Sequence, residues 1–589
     1  MGLLPRVLVD DAWHGAGADG ACEVQGSEVR CPAGAAGEVI AKVDGANVQV
    51  RFEPSAGATV EAISLEGDAV LPGAGAWLSN GFQSWSQTGV LALGPAPSDD
   101  ELAKALSARG DSEVERDGNE LSWWYSYVGG GDYSLFAGAL SGDRFKPWVQ
   151  MSRTDAGLVH VRLVSGDAGE QVAAVAGQPV AGESWELGLG SSLTQMLTSW
   201  GKAIPSRRAT HPLAPLRGWN SWYQLWDKVD EQAVRGNAAL VKETFAYSAS
   251  DPFYVVVDDG WQNKWGEWEP NAKFPSGISG LVADLHAGGF KAGVWLAPLL
   301  VQEDSTLVTD HPDWFVQGAV YDHALHGPMR VLDVTNTEAA AHLTDVITTL
   351  KGWGLDFLKI DFLFAGTYEG ARAKPVTGME AYAEALRLIR QAAGDDLVIA
   401  AVGAPPIASF PYVDGWRLGG DIALEPFGPS WYFVLNQARS LAARWPLCAA
   451  TLCDADPPLL RKLPDNEVNV GVWVAAAARG LLFLSDDLRA LPDDRLHWKL
   501  TEAQAECLQH EGGRAPRSQF PDTLPSTLTN AVIDQVARKS QHAIPFVWDP
   551  VGWISRDQLT INFTDEPLPA GYRPVAPHTA DEWQSVTNE

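Results

Sequence analysis

The sequence predicts a multidomain α/β plus β protein: a central (β/α)8 barrel preceded by an N-terminal β-sandwich and followed by a small C-terminal β domain. Three observations predict it. A chain of 589 residues is too long for one compact core and divides into about three or four domains. Between Leu216 and Asp487 short apolar runs alternate with stretches of helical apolar spacing, the rhythm of a parallel sheet wound with helices. Outside that region the runs are short, alternating or β-branched, and separated by turn residues.

In order, residues 1–205 are rich in Gly and Ala and carry strand-like runs at Asn47–Phe52, Gly157–Leu163 and Ser184–Leu189, the pattern of a sandwich. Lys202–Pro215 (KAIPSRRATHPLAP), with its prolines, Arg207 and Arg208, reads as a linker. The barrel, assigned to residues 206–490, follows as LRGWNSW, FYVVVDDGW, FKAGVWLAP, LDFLKIDF, LVIAAVGAPP, VDGWRLGGD and GLLFLSDD. These are seven strands, and the eighth is placed within Ala443–Cys453. Helices are expected at Glu231–Thr244, Gly280–Ala287, Thr337–Lys351 and Gly378–Ala393. Right-handed crossovers keep such a sheet parallel. Residues 491–589, with runs at Ile544–Trp548 and Leu559–Phe563, are assigned to the C-terminal β domain.

The net charge of -31 repels phosphate backbones and anionic lipid, so nucleic acid and membrane surfaces are not expected partners. The N-terminus reaches Asp10, Asp11 and His14 too early for a signal-peptide core, and no later run approaches a membrane span. Five cysteines, Cys22, Cys31, Cys448, Cys453 and Cys507, are few and odd in number, which argues against a disulfide framework and for the cytoplasm. Cys448 and Cys453 read as buried hydrophobes, and neither a metal nor another cofactor is expected. The oligomeric state is left open.

In a (β/α)8 barrel the chemistry sits where strands end on the C-terminal face. Three runs close on acids: Asp258-Asp259 ends the second, Asp361 the fourth and Asp421 the sixth. Alternation puts Lys359 on the same face as Asp361, and Arg417 on the same side as Asp421. A helix cap explains any one such aspartate, and a buried ion pair explains the cations. Three acidic ends together point further. Two carboxylates in a polar cleft with cationic neighbours suit glycoside hydrolysis, one attacking the anomeric carbon and the other protonating the departing oxygen. The 25 tryptophans are mostly core, but Trp295 at a strand end and Trp85 in NGFQSW have settings that suit the apolar face of a sugar.

The motifs GWNSW (218–222), DDGW (258–261), WEPNAKFPSG (268–277), GVWLAP (293–298), HPDW (311–314), LKID (358–361) and VDGWRLGGD (413–421), with NGFQSWS (80–86), resemble the α-galactosidases of glycoside hydrolase family 36. The resemblance implies an N-terminal β-supersandwich that sends a Trp-bearing loop to the active site. It implies Asp361 as nucleophile and Asp421 as general acid, then base. Asp258 and Asp259 would accept from the O4 and O6 hydroxyls of galactose, Lys359 and Arg417 would bind ring hydroxyls, and Trp85 and Trp295 would shape the pocket. An oligosaccharide or glycoside is then the substrate and no cofactor is needed. The run after the nucleophile, Phe362-Leu363-Phe364, and Gly-Gly-Asp at the acid/base depart from the family's usual wording.

Double displacement with retention requires carboxylates roughly 5 Å apart, whereas about 9 Å predicts inversion. The same residues also suit an α-galactosyl transglycosylase or an α-N-acetylgalactosaminidase. A metal-dependent hydrolase on Asp258, Asp259 and Asp361 lacks strand-end histidines, and a non-catalytic sugar-binding protein would bind without turnover.

Overall fold

The computed structural model describes residues 3–17, 19–107, 121–130, 133–244, 247–424, 428–478, 480–492, 495 and three strands at 553–556, 559–562 and 579–582. The chain forms two compact units. One comprises Met1–Pro205 with Gly366–Glu384, and the other is built on Ser206–Ala365 and the described residues of Ala385–Gln519 and Val551–Glu589.

The first unit holds two antiparallel sheets of seven and nine strands. Leu4–Val9, which pairs with Ala58–Ala69 in one sheet, touches Glu28–Ala33 and Gly37–Asp44 of the other. Alternation drives this layering: in Asn47–Pro54 every second residue, Val48, Val50, Phe52 and Pro54, is buried, so one face of the strand meets the core. The expected runs lie in strands Asn47–Pro54, Val159–Gly166 and Val180–Gly190.

The second unit is a closed eight-stranded parallel barrel. Its strands are β1 Leu216–Asn220, β2 Phe253–Val257, β3 Lys291–Leu296, β4 Phe357–Ile360, β5 Val398–Ala401, β6 Gly415–Arg417, β7 Leu452–Asp454 and β8 Leu481–Leu484. Closure comes from β1 pairing with β8, Leu216 opposite Leu481. Helices α1 Glu231–Thr244, α2 Gly277–Ala287, α3 Thr337–Gly352, α4 Gly378–Ala393, α5 Trp431–Arg444 and α6 Asp465–Ala477 lie between strands along the chain, and α1, α2 and α3 each bury one stripe. In α3 that stripe is Ala339, Leu343, Ile347 and Leu350, and Asn336 caps its first turn.

The barrel floor is apolar: Leu216, Tyr254, Val256, Phe357, Val398, Ala400, Leu452, Leu481 and Phe483 form one buried cluster. Space is short there. A Cβ on Gly218 would stand 2.5 Å from the Tyr254 carbonyl, and one on Gly293 would stand 2.8 Å from that of Phe357. These glycines let the floor close, so the polar residues two positions further along each strand are lifted to the C-terminal rim.

Two expectations are corrected and one is narrowed. The strand expected within Ala443–Cys453 is β7, Leu452–Asp454, which starts at the end of that window and runs one residue past it: residues to Arg444 finish α5 and Trp445–Ala449 is a 3-10 turn. Pro446 supplies no N–H and ends the helix there, and the apolar composition of this turn mimics a strand. Lys202–Pro215 is not a plain linker, because Arg207 is buried and binds Asp395 at 2.8 Å and Asp414 at 2.9 Å. The cysteines are not lone hydrophobes: Cys22 joins Cys31 and Cys448 joins Cys453. The register Glu23 opposite Arg30 carries Cys22 to Cys31 across a hairpin, and the 3-10 turn brings Cys448 back to Cys453. Counting parity cannot see such local pairs, so the ground for a cytoplasmic location falls. No helix among the described residues is long and apolar enough to cross a membrane.

Of the expected C-terminal β domain, Trp553–Arg556, Leu559–Asn562 and Thr579–Glu582 form a three-stranded sheet. Its run at Ile544–Trp548 lies outside the described residues.

Candidate active site

The rim of the barrel gathers the strand-end residues into three hydrogen-bonded pairs. Lys359 Nζ, on β4, lies 2.7 Å from Asp258 Oδ2 at the end of β2. Trp295 Nε1, on β3, donates to Asp361 Oδ2 at 3.0 Å. Arg417 Nη1, on β6, donates to Asp421 Oδ1 at 3.3 Å. The alternation of β4 is therefore as expected, with Lys359 and Asp361 facing the same rim.

Asp361 is 6% exposed and its Oδ1 accepts from the Phe362 N–H at 2.7 Å. That contact follows from a left-handed turn: Phe362 sits at φ 55°, a conformation that costs a bulky residue free energy and clusters at functional sites. The Phe362 ring lies 4.9 Å from that of Trp265 and 5.3 Å from that of His323. Burial pushes the Asp361 carboxyl up to about 6; Lys359 and the Trp295 N–H oppose this, while the negative charge of Asp421 adds to it.

Asp258 is met by donors from several strands. Its Oδ2 also accepts from Asn220 Nδ2 at 2.7 Å, and its Oδ1 accepts the Asp259 N–H at 2.9 Å. Burial disfavours the Lys359 ammonium, but the charges of Asp258 and Asp361 outweigh it and leave the pKa raised. Asp259 Oδ1 accepts from Gln262 Nε2 at 2.6 Å and Trp265 Nε1 at 3.2 Å, and its Oδ2 lies 3.6 Å from His326 Nε2. Gly260 makes this turn at φ 110°, where a Cβ would meet the Asp227 backbone at 2.6 Å.

Arg417 is surrounded by acids. Besides Asp421, its Nε donates to Asp454 Oδ2 at 3.0 Å and its Nη2 lies 2.6 Å from Asp456 Oδ1. The three carboxylates overcome burial and hold the guanidinium pKa well above its ordinary value. Asp456 is pushed up to about 8, by burial first, with Asp421 and Asp454 adding and Arg417 and Lys359 opposing.

Sequence reasoning missed Asp454 and Asp456. The signal was present, since LCDAD is an apolar run closing on acids, but placing that strand too early hid it. It also missed Asn220 and Tyr223 after β1, and the hairpin Phe315–His323 with Gly327–Leu332, which brings His323 and His326 to Trp265 at 4.9 and 5.3 Å between rings. Burial, with help from the neighbouring His326 charge, lowers the His323 pKa to about 4. Trp85 belongs to the first unit, half-buried on a loop where its backbone N–H donates to Gln83 Oε1 at 2.8 Å.

Among the described residues no group of three His, Cys, Asp or Glu side chains could hold a metal ion. The acids of the rim are bound instead by Lys, Arg, Asn, Gln and Trp donors. What such a rim can do is hold carboxylates in different protonation states around a polar, uncharged ligand.

Residues 237–388 match the Melibiase family model. A probable alpha-galactosidase C from Aspergillus flavus is 30% identical over 217 residues, covering 30% of this chain and 28% of that protein. Alpha-galactosidase 2 from Pediococcus pentosaceus is 31% identical over 151 residues, covering 24% of this chain and 20% of that protein. The matches thus span less than a third of those relatives' length. Among solved structures, an alpha-galactosidase from Thermus thermophilus in complex with p-nitrophenyl alpha-D-galactopyranoside has a TM-score of 0.59 at 24% identity, over 82% of this chain and 95% of that one. The GH36 alpha-galactosidase AgaA from Geobacillus stearothermophilus has a TM-score of 0.61 at 12% identity, over 86% of this chain and 75% of that one. At these identities the likeness is one of fold. The motif resemblance is borne out to this extent: residues 237–388 match the Melibiase model, and the fold is like that of solved alpha-galactosidases.

Proposed function

We propose that this chain, whose barrel carries the melibiase segment, is a retaining α-galactosidase that hydrolyses terminal α-galactosides through a glycosyl-aspartate. The observation that carries the reading is the unlike pair Asp361 and Asp421. Asp361 is buried, with both oxygens held by N–H donors, whereas Asp421 is 29% exposed and held through one oxygen by Arg417. A fixed carboxylate suits the nucleophile, because its two donors aim it and leave it the residual charge to attack. A more open one suits the group that must exchange a proton with a departing sugar and then with water.

In the first step Asp361 bonds to the anomeric carbon as the glycosidic C–O bond breaks, and Asp421 gives its proton to the leaving oxygen. In the second, water attacks that carbon, Asp421 takes the water's proton and the Asp361 ester breaks. Asp258 and Asp259 retain lone pairs for sugar hydroxyls, and Lys359 offers its remaining N–H bonds beside them. Arg417 spends its donors on three carboxylates, so we assign it to holding Asp421 rather than to ring hydroxyls. Trp295, packed at a tilt of 59° against Trp265 with 4.9 Å between rings, supplies an apolar wall as well as the donor to Asp361. The Thermus thermophilus alpha-galactosidase of similar fold has been solved in complex with p-nitrophenyl alpha-D-galactopyranoside and with stachyose, ligands of this kind.

The test is hydrolysis of an aryl α-galactoside followed by NMR, reading the anomer before mutarotation. Release of α-galactose, abolished in Asp361→Ala and slowed in Asp421→Ala, is expected. Release of β-galactose would overturn retention. Turnover only of an α-N-acetylgalactosaminide, or transfer to added sugar in preference to water, would move the reading to those relatives.

A further inference from the structure

Asp421 follows two glycines, Gly419 and Gly420, whose backbone lacks the restraint of a side chain. Arg444 Nη1 holds the Leu418 carbonyl at 2.6 Å and Gln437 Nε2 holds that of Gly420, and a second set of contacts fixes the chain beyond Asp421. The Ile422 N–H, one residue on, donates to Asp456 Oδ2 at 2.8 Å. The same oxygen accepts the Tyr223 hydroxyl, which also lies 3.3 Å from Ile422 N. The other oxygen of Asp456 meets Arg417 Nη2 at 2.6 Å, and Arg417 Nη1 returns to Asp421 Oδ1. The contacts close a ring: Asp421, the Ile422 backbone, Asp456, Arg417 and back to Asp421.

Asp456 is itself held from behind. Its N–H donates to Asp454 Oδ1 at 2.9 Å, and its φ is 65°, an unusual conformation for an aspartate that the following chain sustains. It is 2% exposed, with Oδ2 hydrogen-bonded to the Ile422 N–H and the Tyr223 hydroxyl and Oδ1 set against the Arg417 guanidinium as an ion pair rather than a hydrogen bond, so it acts through its neighbours. The charged and titratable groups around it are Arg417, Asp421, Asp454, Lys359 and Tyr223.

We infer that Asp456 is a positioning residue for the acid/base, setting both the backbone at Asp421 and the guanidinium that binds its carboxylate. The inference rests on the reading of Asp421 as acid/base given above. Asp456→Asn keeps the shape but presents an amide N–H either to Arg417 or to the Ile422 N–H and Tyr223 hydroxyl, so one side of the ring opens.

The experiment compares kcat/KM of the full chain and its Asp456→Asn variant on two substrates. Methyl α-galactoside needs its leaving oxygen protonated, whereas p-nitrophenyl α-galactoside departs almost unaided. General acid catalysis contributes on the order of 10²–10⁴-fold, so displacing the acid lowers kcat/KM for the methyl glycoside by roughly 10–100-fold and that for the nitrophenyl glycoside by less than about threefold. Equal losses on both substrates, or no loss, overturn the positioning role. If Asp456→Asn does not fold, Tyr223→Phe, which removes one hydroxyl from the ring, is read by the same ratio with a shift in the same direction, and an unchanged ratio overturns the inference. A wild type that turns over neither galactoside overturns the functional reading and this inference with it.

Discussion

Asp361→Asn should cost activity and add stability, in a pH-dependent way. Burial lifts the Asp361 carboxyl from 3.8 to about 6, roughly 2 pKa units, and at about 1.4 kcal/mol per unit the ionised side chain costs the fold about 3 kcal/mol. The sign follows from the direction: a raised carboxyl is neutral in both states below about 4, and its penalty develops as pH rises through about 6. An asparagine carries no such charge, but it cannot accept from both the Trp295 and Phe362 N–H groups, which takes back about 1.5 kcal/mol. The net gain above pH 7 is about 1–2 kcal/mol, or about 2–3 °C for a cooperative unit the size of the barrel. Calorimetry of both proteins from pH 4.5 to 8 reads it. A difference that is constant with pH, or that favours the variant more at pH 4.5 than at pH 8, refutes the argument that the carboxylate is held against its desolvation.

Trp295→Phe removes a donor to Asp361, so the carboxyl rises further and the acid limb of kcat/KM should move up from about 6 by about one unit; a pH profile with an unmoved limb contradicts this. Lys359→Met leaves the buried Asp258 carboxylate without its cation and should destabilise the chain by about 3–5 kcal/mol, read by denaturant unfolding, with a loss under about 1 kcal/mol refuting it. Cys448→Ser with Cys453→Ser removes a crosslink and should lower stability by about 2 kcal/mol. Added reductant should destabilise the wild type more than the double variant, which has only the Cys22–Cys31 crosslink left to lose.

Periodicity made most of the barrel legible, because a strand buried on both faces and a one-sided helix leave different marks. Glu231–Thr244 and Gly378–Ala393 begin and end where the spacing places them. It failed at Trp431–Ala449, where an apolar helix and its 3-10 turn leave no period distinct from a buried strand. That misplacement concealed Asp454 and Asp456. Paired strand-end acids and their cations were visible because alternation fixes which residues share a face. The partners of those acids were not, since Tyr223 and Asp456 lie 233 residues apart and no local pattern links them. The cysteine pairs were missed for the opposite reason: they close spans of 9 and 5 residues, which a parity argument ignores.

The rim also has a charge balance that bears on what it can bind. Asp258, Asp361, Asp421, Asp454 and Asp456 face Lys359 and Arg417. Five carboxylates against two cations leave an excess of negative charge, and burial drives the pKa up at Asp361, to about 6, and at Asp456, to about 8. An anionic sugar would add to the excess and is disfavoured. A neutral polyol brings hydroxyl donors that the acids accept, and an oxocarbenium-like transition state brings the positive charge the site lacks. That charge forms beside Asp361, where it offsets the desolvation that disfavours the carboxylate at rest.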